Sequence, residues 1–300
     1  MGRIVALGEV VSDIYRAESS SRSSCPSSPG RAGRRRTSRW PPPGSARRRR
    51  SWERGGRPLR DFIVRALEDE GVDVSAVRRR EPPTRTSIAF VEISDDGDRA
   101  FTFYRSSPAA DEMLSPEDVA RETVSGASFV NFGSIPLLRE PSRGAVHRFA
   151  QLANELSVPV AFDVNLRDHL WESTAAAREA VDPLLDRSRI VKLGHEELRP
   201  LLETDDPAEA ARLLLGRGAS LVLVSLGADG AFYATDGFQG DVPAFPIEAV
   251  DATGAGDAFL AATLVRLADA GGRGGKRGWC ERRPSGAARR APWPAPLSGP

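Results

Sequence analysis

The stretch Val250-Asp251-Ala252-Thr253-Gly254-Ala255-Gly256-Asp257-Ala258-Phe259 combines what chemistry on an anion needs. Gly254 and Gly256 let the backbone approach a ligand closely. A helical pattern follows over Ala258–Ala270, and a helix N-terminus offers unpaired N–H groups and a positive dipole end. Asp257 stands where a carboxylate can take a proton from an incoming hydroxyl. The same residues also read as a glycine-rich helix start with a capping Asp. Asp163-Val164-Asn165-Leu166-Arg167 closes a buried run, and in open α/β sheets ligands bind beyond such strand ends. It either gathers three polar side chains at one crevice or leaves a surface ion pair. Ser225-Leu226-Gly227-Ala228-Asp229-Gly230 either cradles a nucleotide phosphate or makes a tight turn. Lys192–Glu197 closes another strand, and Glu197 either helps to hold a hydrated Mg²⁺ or is a solvated carboxylate.

These groups need a frame, and the apolar pattern supplies one. Residues 3–8 (RIVALG) read as a short buried strand, followed by an acidic loop over Glu9–Asp13. DFIVRALEDEG is an amphipathic helix closed by Gly71. SIAFVEIS and RAFTFYR alternate apolar and polar residues around Asp95-Asp96-Gly97-Asp98, a hairpin signature. Strands and helices then alternate: ASFVNFG, the helix Arg143–Leu156, VPVAFDVN, the helix Thr174–Asp186, RIVKLG, the helix Asp206–Gly216 and SLVLVSLG. Ala231–Tyr233 and Val242–Pro246 read as short antiparallel pieces. Buried β runs between helical patterns predict an α/β fold, a mostly parallel sheet with helices on both faces. The hairpin at 87–105 stands apart as an edge or a small β lid.

Composition bounds the rest. Three hundred residues, 40% apolar and 28% charged, make one sizeable α/β domain, or a domain with a lid. The net charge of +1 hides a division. Residues 21–60 hold thirteen Arg and one acid, Glu53, and residues 273–300 hold seven Lys/Arg and one acid, Glu281. Of the 42 basic and 41 acidic residues this leaves 22 and 39 elsewhere, a net of −17. Both cysteines, Cys25 and Cys280, and four of the five tryptophans also lie in those two segments. Two cysteines make neither a disulfide framework nor a zinc site. No apolar run reaches the ~20 residues of a membrane span, and MGRIVALGEV lacks a signal-peptide core; a cytoplasmic location is expected. His147, His169 and His195 are scattered and read as non-catalytic, and no nucleophile elbow supports Ser/His/Asp hydrolysis.

Taken in order, Gly8-Glu9 with Asp13, D-x-N-x-R, S-x-G-x-x-G and D-A-T-G-A-G-D resemble the PfkB/ribokinase family of sugar kinases over residues 1–16 and about 60–272. Two positions depart from the family pattern. Ala252 replaces the family's second Thr, and Gly194 stands where relatives often have Asn or Ser. The resemblance implies a ribokinase-like domain over 1–272 with an aberrant tail at 273–300. It implies ATP and Mg²⁺, and it leaves open a monovalent cation, K⁺, near Asp251. Asp257 resembles the catalytic base, with Gly254, Ala255 and Gly256 beside it in the anion hole. Asn165, Arg167, Ser225, Gly227 and Gly230 resemble nucleotide and phosphate contacts, Glu197 a group near the metal, and Asp13 a ligand for sugar hydroxyls. Phe103-Tyr104-Arg105 before Pro108-Ala109-Ala110-Asp111 resembles the fructokinase branch, where Arg105 faces the sugar. Fructose is the implied acceptor, with 2-keto-3-deoxygluconate and then ribose as alternatives. A homodimer through the lid stays open, and no membrane partner is implied.

The family's other signature, G-G-x-x-x-N before an alanine-rich helix, is absent near residues 30–45. For Arg31–Thr37 the codons CGG-GCG-GGG-CGC-CGG-CGA-ACG are permitted, and read from the third base they encode Gly-Gly-Ala-Pro-Ala-Asn. In that frame Thr37–Glu53 permits V-A-V-A-A-A-R-L-G-A-P-P-A-F-V-G. The segment from about 17–30 to about 54–60 is therefore expected to be translated out of frame, and the tail from about 273 likewise, so that 17–60 and 273–300 are irregular or disordered. DNA sequencing of both strands checks this; an intact gene without compensating insertions or deletions contradicts it. The chain as it stands is expected to be inactive or poorly folded. The rival reading of 21–60 is an arginine-rich arm for nucleic acid or an acidic partner, but no folded nucleic-acid motif accompanies it.

Overall fold

The computed structural model describes residues 2–8, 12–15, 59–81, 83–93, 99–105, 109–247 and 254–272. The segments 17–58 and 273–300, Asp251 and the readings made of them lie outside the described residues. The central sheet runs through β1 (Ile4–Leu7), β5 (Phe129–Phe132), β6 (Val160–Asp163), β7 (Ile190–Gly194), β8 (Leu221–Ser225), β9 (Ala231–Ala234) and β10 (Gln239–Val242), in that spatial order. Its first five strands pair in parallel, and β9 pairs antiparallel with both β8 and β10. A second sheet sets β3 (Ile88–Ile93) between β2 (Ser12–Tyr15) and β4 (Arg99–Tyr104). The expected hairpin is thus a separate three-stranded lid. The fold is the α/β, mostly parallel arrangement that the resemblance implied.

Every residue of β6 and β7 is buried. That is why these strands read as continuous apolar runs: parallel strands are covered on both faces. One face carries Val130, Phe132, Val160, Phe162, Val191, Leu193, Val222 and Val224. Against it pack α3 (Ser142–Glu155), α4 (Thr174–Leu185), α5 (His195–Leu202) and α6 (Pro207–Gly216). The opposite face carries Phe129, Ala161, Ile190, Leu221 and Leu223. It receives α7 (Ala255–Gly272) through Leu260, Leu264 and Ala268, which recur every four residues along one helical stripe. Helix α1 (Leu59–Asp69) and the four-residue α2 (Arg121–Val124), for which no helix was expected, complete the described α-helices.

The structure departs from expectation at four further elements. Helix α7 opens at Ala255 rather than Ala258, because Gly254 at φ 80 makes the turn and its carbonyl already accepts from the Ala258 N–H at 2.8 Å. Helix α5 was not expected; it is short and holds Pro200 inside. The last antiparallel piece is Gln239–Val242 instead of Val242–Pro246, since an exposed edge strand needs no apolar alternation. Asp13, expected in a loop, has its backbone in β2, paired with Ala89.

Leu264 is 2% exposed at the centre of the α7 contact. Leu264→Ala is expected to cost about 2–5 kcal/mol, read as a lowered denaturation midpoint. An unchanged midpoint would mean that α7 is not docked as described.

Candidate active site

The period of two along a strand decides which side chains reach α7. Asp163 lies two residues beyond Ala161, and Lys192 two beyond Ile190, so both continue the face that α7 covers. They are also register partners across the parallel pair β6–β7. The Lys192 Nζ lies 2.9 Å from Asp163 Oδ1, and the two side chains are 7% and 9% exposed. Burial pushes the Asp163 carboxyl above its usual range, the Lys192 ammonium opposes that, and the Asp257 charge adds to the rise. Asp257 and Arg167 are thus both near enough to act on this pair. The surface-ion-pair reading of D-x-N-x-R does not hold, because its Asp is buried against a lysine.

Above the pair sits the first turn of α7. Ala255, Gly256 and Asp257 are its opening residues, whose N–H groups have no carbonyl partner within a helix. A side chain at Gly256 would put its Cβ 2.8 Å from Lys192 Nζ, so the ammonium lies directly against this turn. Asp257 is exposed there.

One step further along the strands, Gly194 is the register partner of Ser225, and the Ser225 hydroxyl donates to the Leu193 carbonyl at 3.3 Å. Glu197 is 4% exposed, so the solvated alternative fails. Its Oε2 accepts from the Gly194 N–H at 2.7 Å and its Oε1 from the Leu166 N–H. The carboxylate therefore ties the loop after β6 to the end of β7. Within that loop Asn165 adopts φ 41, and its carbonyl accepts from the Ser134 hydroxyl at 3.3 Å. Among the described residues no group of three or more His, Cys, Asp or Glu is placed to hold a metal ion.

Burial pushes the Glu197 carboxyl up from 4.5 to about 7, against the two backbone hydrogen bonds and Lys192 that favour its charge. Because the folded state binds this proton more tightly, the group's contribution is full below pH 4.5 and lost as pH rises through about 7. The stability of the protein relative to Glu197→Gln is expected to fall by about 3 kcal/mol across that window. Denaturant titrations at a series of pH values check it; a difference that stays flat contradicts it.

The remaining residues are distributed around this centre. Gly227 (φ 61) and Gly230 (φ 104) bracket a single turn after β8. A Cβ on Gly230 would fall 2.0 Å from the Val242 carbonyl oxygen, whereas Gly227 faces open space. Gly230 is thus glycine for the turn, and Gly227 leaves room beside the strand end. Arg105, at the end of β4, lies 3.4 Å from Asp111 and 3.6 Å from Glu112. With Arg143, His147 and Trp171 it lines a cavity of about 770 Å³. Of the other two histidines, His169 stands on the single turn 168–170, and His195 opens α5 with Nε2 3.1 Å from the Asp205 carbonyl oxygen. The side chain of Asp13 lies outside the described part. The centre therefore gathers Asp257, Gly256, Arg167 and Glu197 with Asp163, which the D-x-N-x-R stretch had marked, and with Lys192, to which the sequence reading gave no role. Their signal was the charge closing an otherwise apolar strand.

Probable fructokinase-3 of Arabidopsis thaliana is 38% identical over 211 residues, covering 69% of this chain and 60% of that protein. Fructokinase-1 of Zea mays is 39% identical over 207 residues, covering 69% and 64%. The match thus spans under two thirds of these relatives' length. A fructokinase double mutant from Vibrio cholerae O395, crystallised with fructose, ADP and potassium ion, superposes with a TM-score of 0.69 at 29% identity, over 89% of this chain and 84% of that one. Residues 55–284 match the pfkB family carbohydrate kinase, a span holding the lid hairpin, the sheet from β5 onward and the α7 turn. The chain belongs to the pfkB family of carbohydrate kinases.

Proposed function

We propose that the chain is built for ATP-dependent phosphorylation of a sugar primary hydroxyl, with fructose as the acceptor. The observation that carries this is the opening of α7: Gly254 turns the chain so that Ala255, Gly256 and Asp257 present N–H groups and one exposed carboxylate beside the buried Lys192. Such an arrangement holds a phosphoryl group and places a base next to it. Asp257 takes the proton of the attacking hydroxyl; the hydroxyl oxygen bonds to the γ-phosphorus as the bond to the β-phosphate oxygen breaks and ADP leaves. Phosphoryl transfer asks a protein mainly for positioning and charge stabilisation, and the first turn of α7 supplies both.

The strand-end loops serve the nucleotide side. Asn165, Arg167, Ser225 and Gly227 surround the edge where a triphosphate would lie, and Glu197 keeps the Asn165–Arg167 loop in place. Mg²⁺ would neutralise phosphate charge there, carried mainly by the phosphates and water as is usual for this ion. The potassium ion bound by the Vibrio relative makes a monovalent cation near Asp251 part of the same proposal.

Arg105 favours a neutral sugar. Its guanidinium already faces Asp111 and Glu112, so an anionic acceptor such as 2-keto-3-deoxygluconate would find that charge balanced. A coupled ADP-release assay across fructose, 2-keto-3-deoxygluconate and ribose, on protein from a gene with the reading frame restored, tests the assignment. Fructose is expected to turn over fastest. Preference for the sugar acid would reassign the acceptor, and turnover with none of the three would remove the kinase reading.

A further inference from the structure

Three polar side chains meet where the lid strands end. Ile88 and Tyr104 are register partners of β3 and β4, and Ser87 and Arg105 stand one step beyond them. A third piece of chain closes on these two ends. Arg85 bridges to Ala109, and the Ala110 N–H donates to the Arg85 carbonyl at 3.0 Å. That sets the single turn Ala110–Glu112 beside the start of β3. Asp111 on this turn uses both carboxylate oxygens. Its Oδ1 accepts from the Ser87 hydroxyl at 2.5 Å, and its Oδ2 lies 3.4 Å from Arg105. Ser87 is buried, and the side chains of Asp111 and Arg105 are 3% and 16% exposed. Glu112 stands differently: it lies 3.6 Å from Arg105 and 3.8 Å from the exposed Arg139, so its charge is divided between two arginines. Asp111 turns its free oxygen to Arg105.

We infer that Asp111 is a positioning residue that sets the charge class of the acceptor. Oriented by Ser87, it fixes the Arg105 guanidinium and balances its charge, so Arg105 offers hydrogen bonds to neutral hydroxyls and no net attraction to a carboxylate. This rests on the proposal that Arg105 faces the acceptor. The physical basis is the strength of interactions between charged partners away from water. A hydrogen bond between ionised groups is about twice as strong as a neutral one, and a buried charge that loses its partner is costly. With the Asp111 charge removed, Arg105 would keep an uncompensated cation at the edge of its cavity. An acceptor carrying its own carboxylate would then supply the missing partner, whereas fructose could not.

The test compares kcat/KM for fructose and for 2-keto-3-deoxygluconate in the coupled ADP-release assay. It uses the 300-residue chain if that turns over and the frame-restored protein otherwise; Ser87, Arg105 and Asp111 lie outside both altered segments. Where the acid is not turned over, its inhibition constant against fructose takes the place of its kcat/KM. Asp111→Asn keeps the size of the side chain and can still accept from Ser87. It is expected to move the ratio toward the acid by about tenfold to a hundredfold, the loss typical of a charged hydrogen bond, with the change in KM rather than kcat. Asp111→Glu restores the charge and should lie closer to wild type. Glu112→Gln should move the ratio less, because Arg139 shares that carboxylate. Ser87→Ala should move it in the same direction by about twofold to tenfold, and it carries the test if Asp111→Asn does not fold. A residue that only ties the strand ends together would lower stability and slow both acceptors equally. A ratio unmoved in Asp111→Asn, or in Ser87→Ala where that variant carries the test, overturns the inference, as does an equal shift in Glu112→Gln. Fructose turnover with an unmoved ratio leaves the kinase reading standing and removes the role of Asp111. Turnover with neither acceptor removes both, and a wild type that prefers the acid contradicts the acceptor assignment and the inference together.

Discussion

The chain purified as it stands is expected to give no phosphorylation of fructose above background, whereas protein from the frame-restored gene turns over. The reason is visible at both margins of the sheet. Residues of β6 and β7 are buried throughout, but Ile4, Val5 and Leu7 of β1 are only half-buried. In a parallel sheet both faces are normally covered, and the helix permitted by the alternative frame of 37–53 would follow β1 in the chain. At the other margin Phe245 is 69% and Ile247 78% exposed. These are apolar groups beside the strand that precedes the phosphoryl loop. Losing one helix from a sheet face can exceed the ~5–15 kcal/mol that a domain has in hand. Residues 17–60 also lack the G-G-x-x-x-N signature, to which the resemblance assigns sugar contacts. A coupled assay on both proteins checks the expectation, with circular dichroism to compare their folding. Equal turnover would show that the two segments do not matter to the activity.

Asp257→Asn carries the second large effect. In the frame-restored protein it is expected to lower kcat by about 10²–10⁴-fold, the usual contribution of a positioned general base, with little change in ADP affinity. Asn keeps the size of the side chain and the start of α7, so the anion hole at Ala255 and Gly256 remains. The split between kcat and binding separates a base from a residue that merely caps the helix. A capping role would lower stability and leave kcat near wild type. Steady-state kinetics beside a thermal unfolding curve read both quantities at once.

How much of this was legible in the sequence depended on whether the cause was local. Strands β5, β6, β7 and β8 were found because burial on both faces leaves an apolar run, and Leu260, Leu264 and Ala268 marked α7 by their spacing. The opening of α7 was placed three residues late, because Gly256 and Asp257 are weak helix formers and only the Gly254 turn sets the start. Helix α5 was overlooked because it is short and holds Pro200. Strand β10 was misplaced because pairing with β9, rather than any pattern in Gln239–Val242, makes it a strand. At the site, glycines and carboxylates at strand ends pointed to the right edge of the sheet. The Asp163–Lys192 pair is set by register between two strands distant in sequence, and Lys192 meets Gly256 only once α7 docks. Glu197 showed its position but not its task, since its partners are the backbone N–H groups of Leu166 and Gly194.

Phosphorus NMR of the frame-restored protein with ATP and fructose tests the central claim most directly. The account predicts that a sugar phosphate monoester and ADP appear together in equal amounts, and that both form at least about a hundredfold more slowly with Asp257→Asn. Release of inorganic phosphate without a sugar ester, or ester formation undiminished in Asp257→Asn, would contradict it.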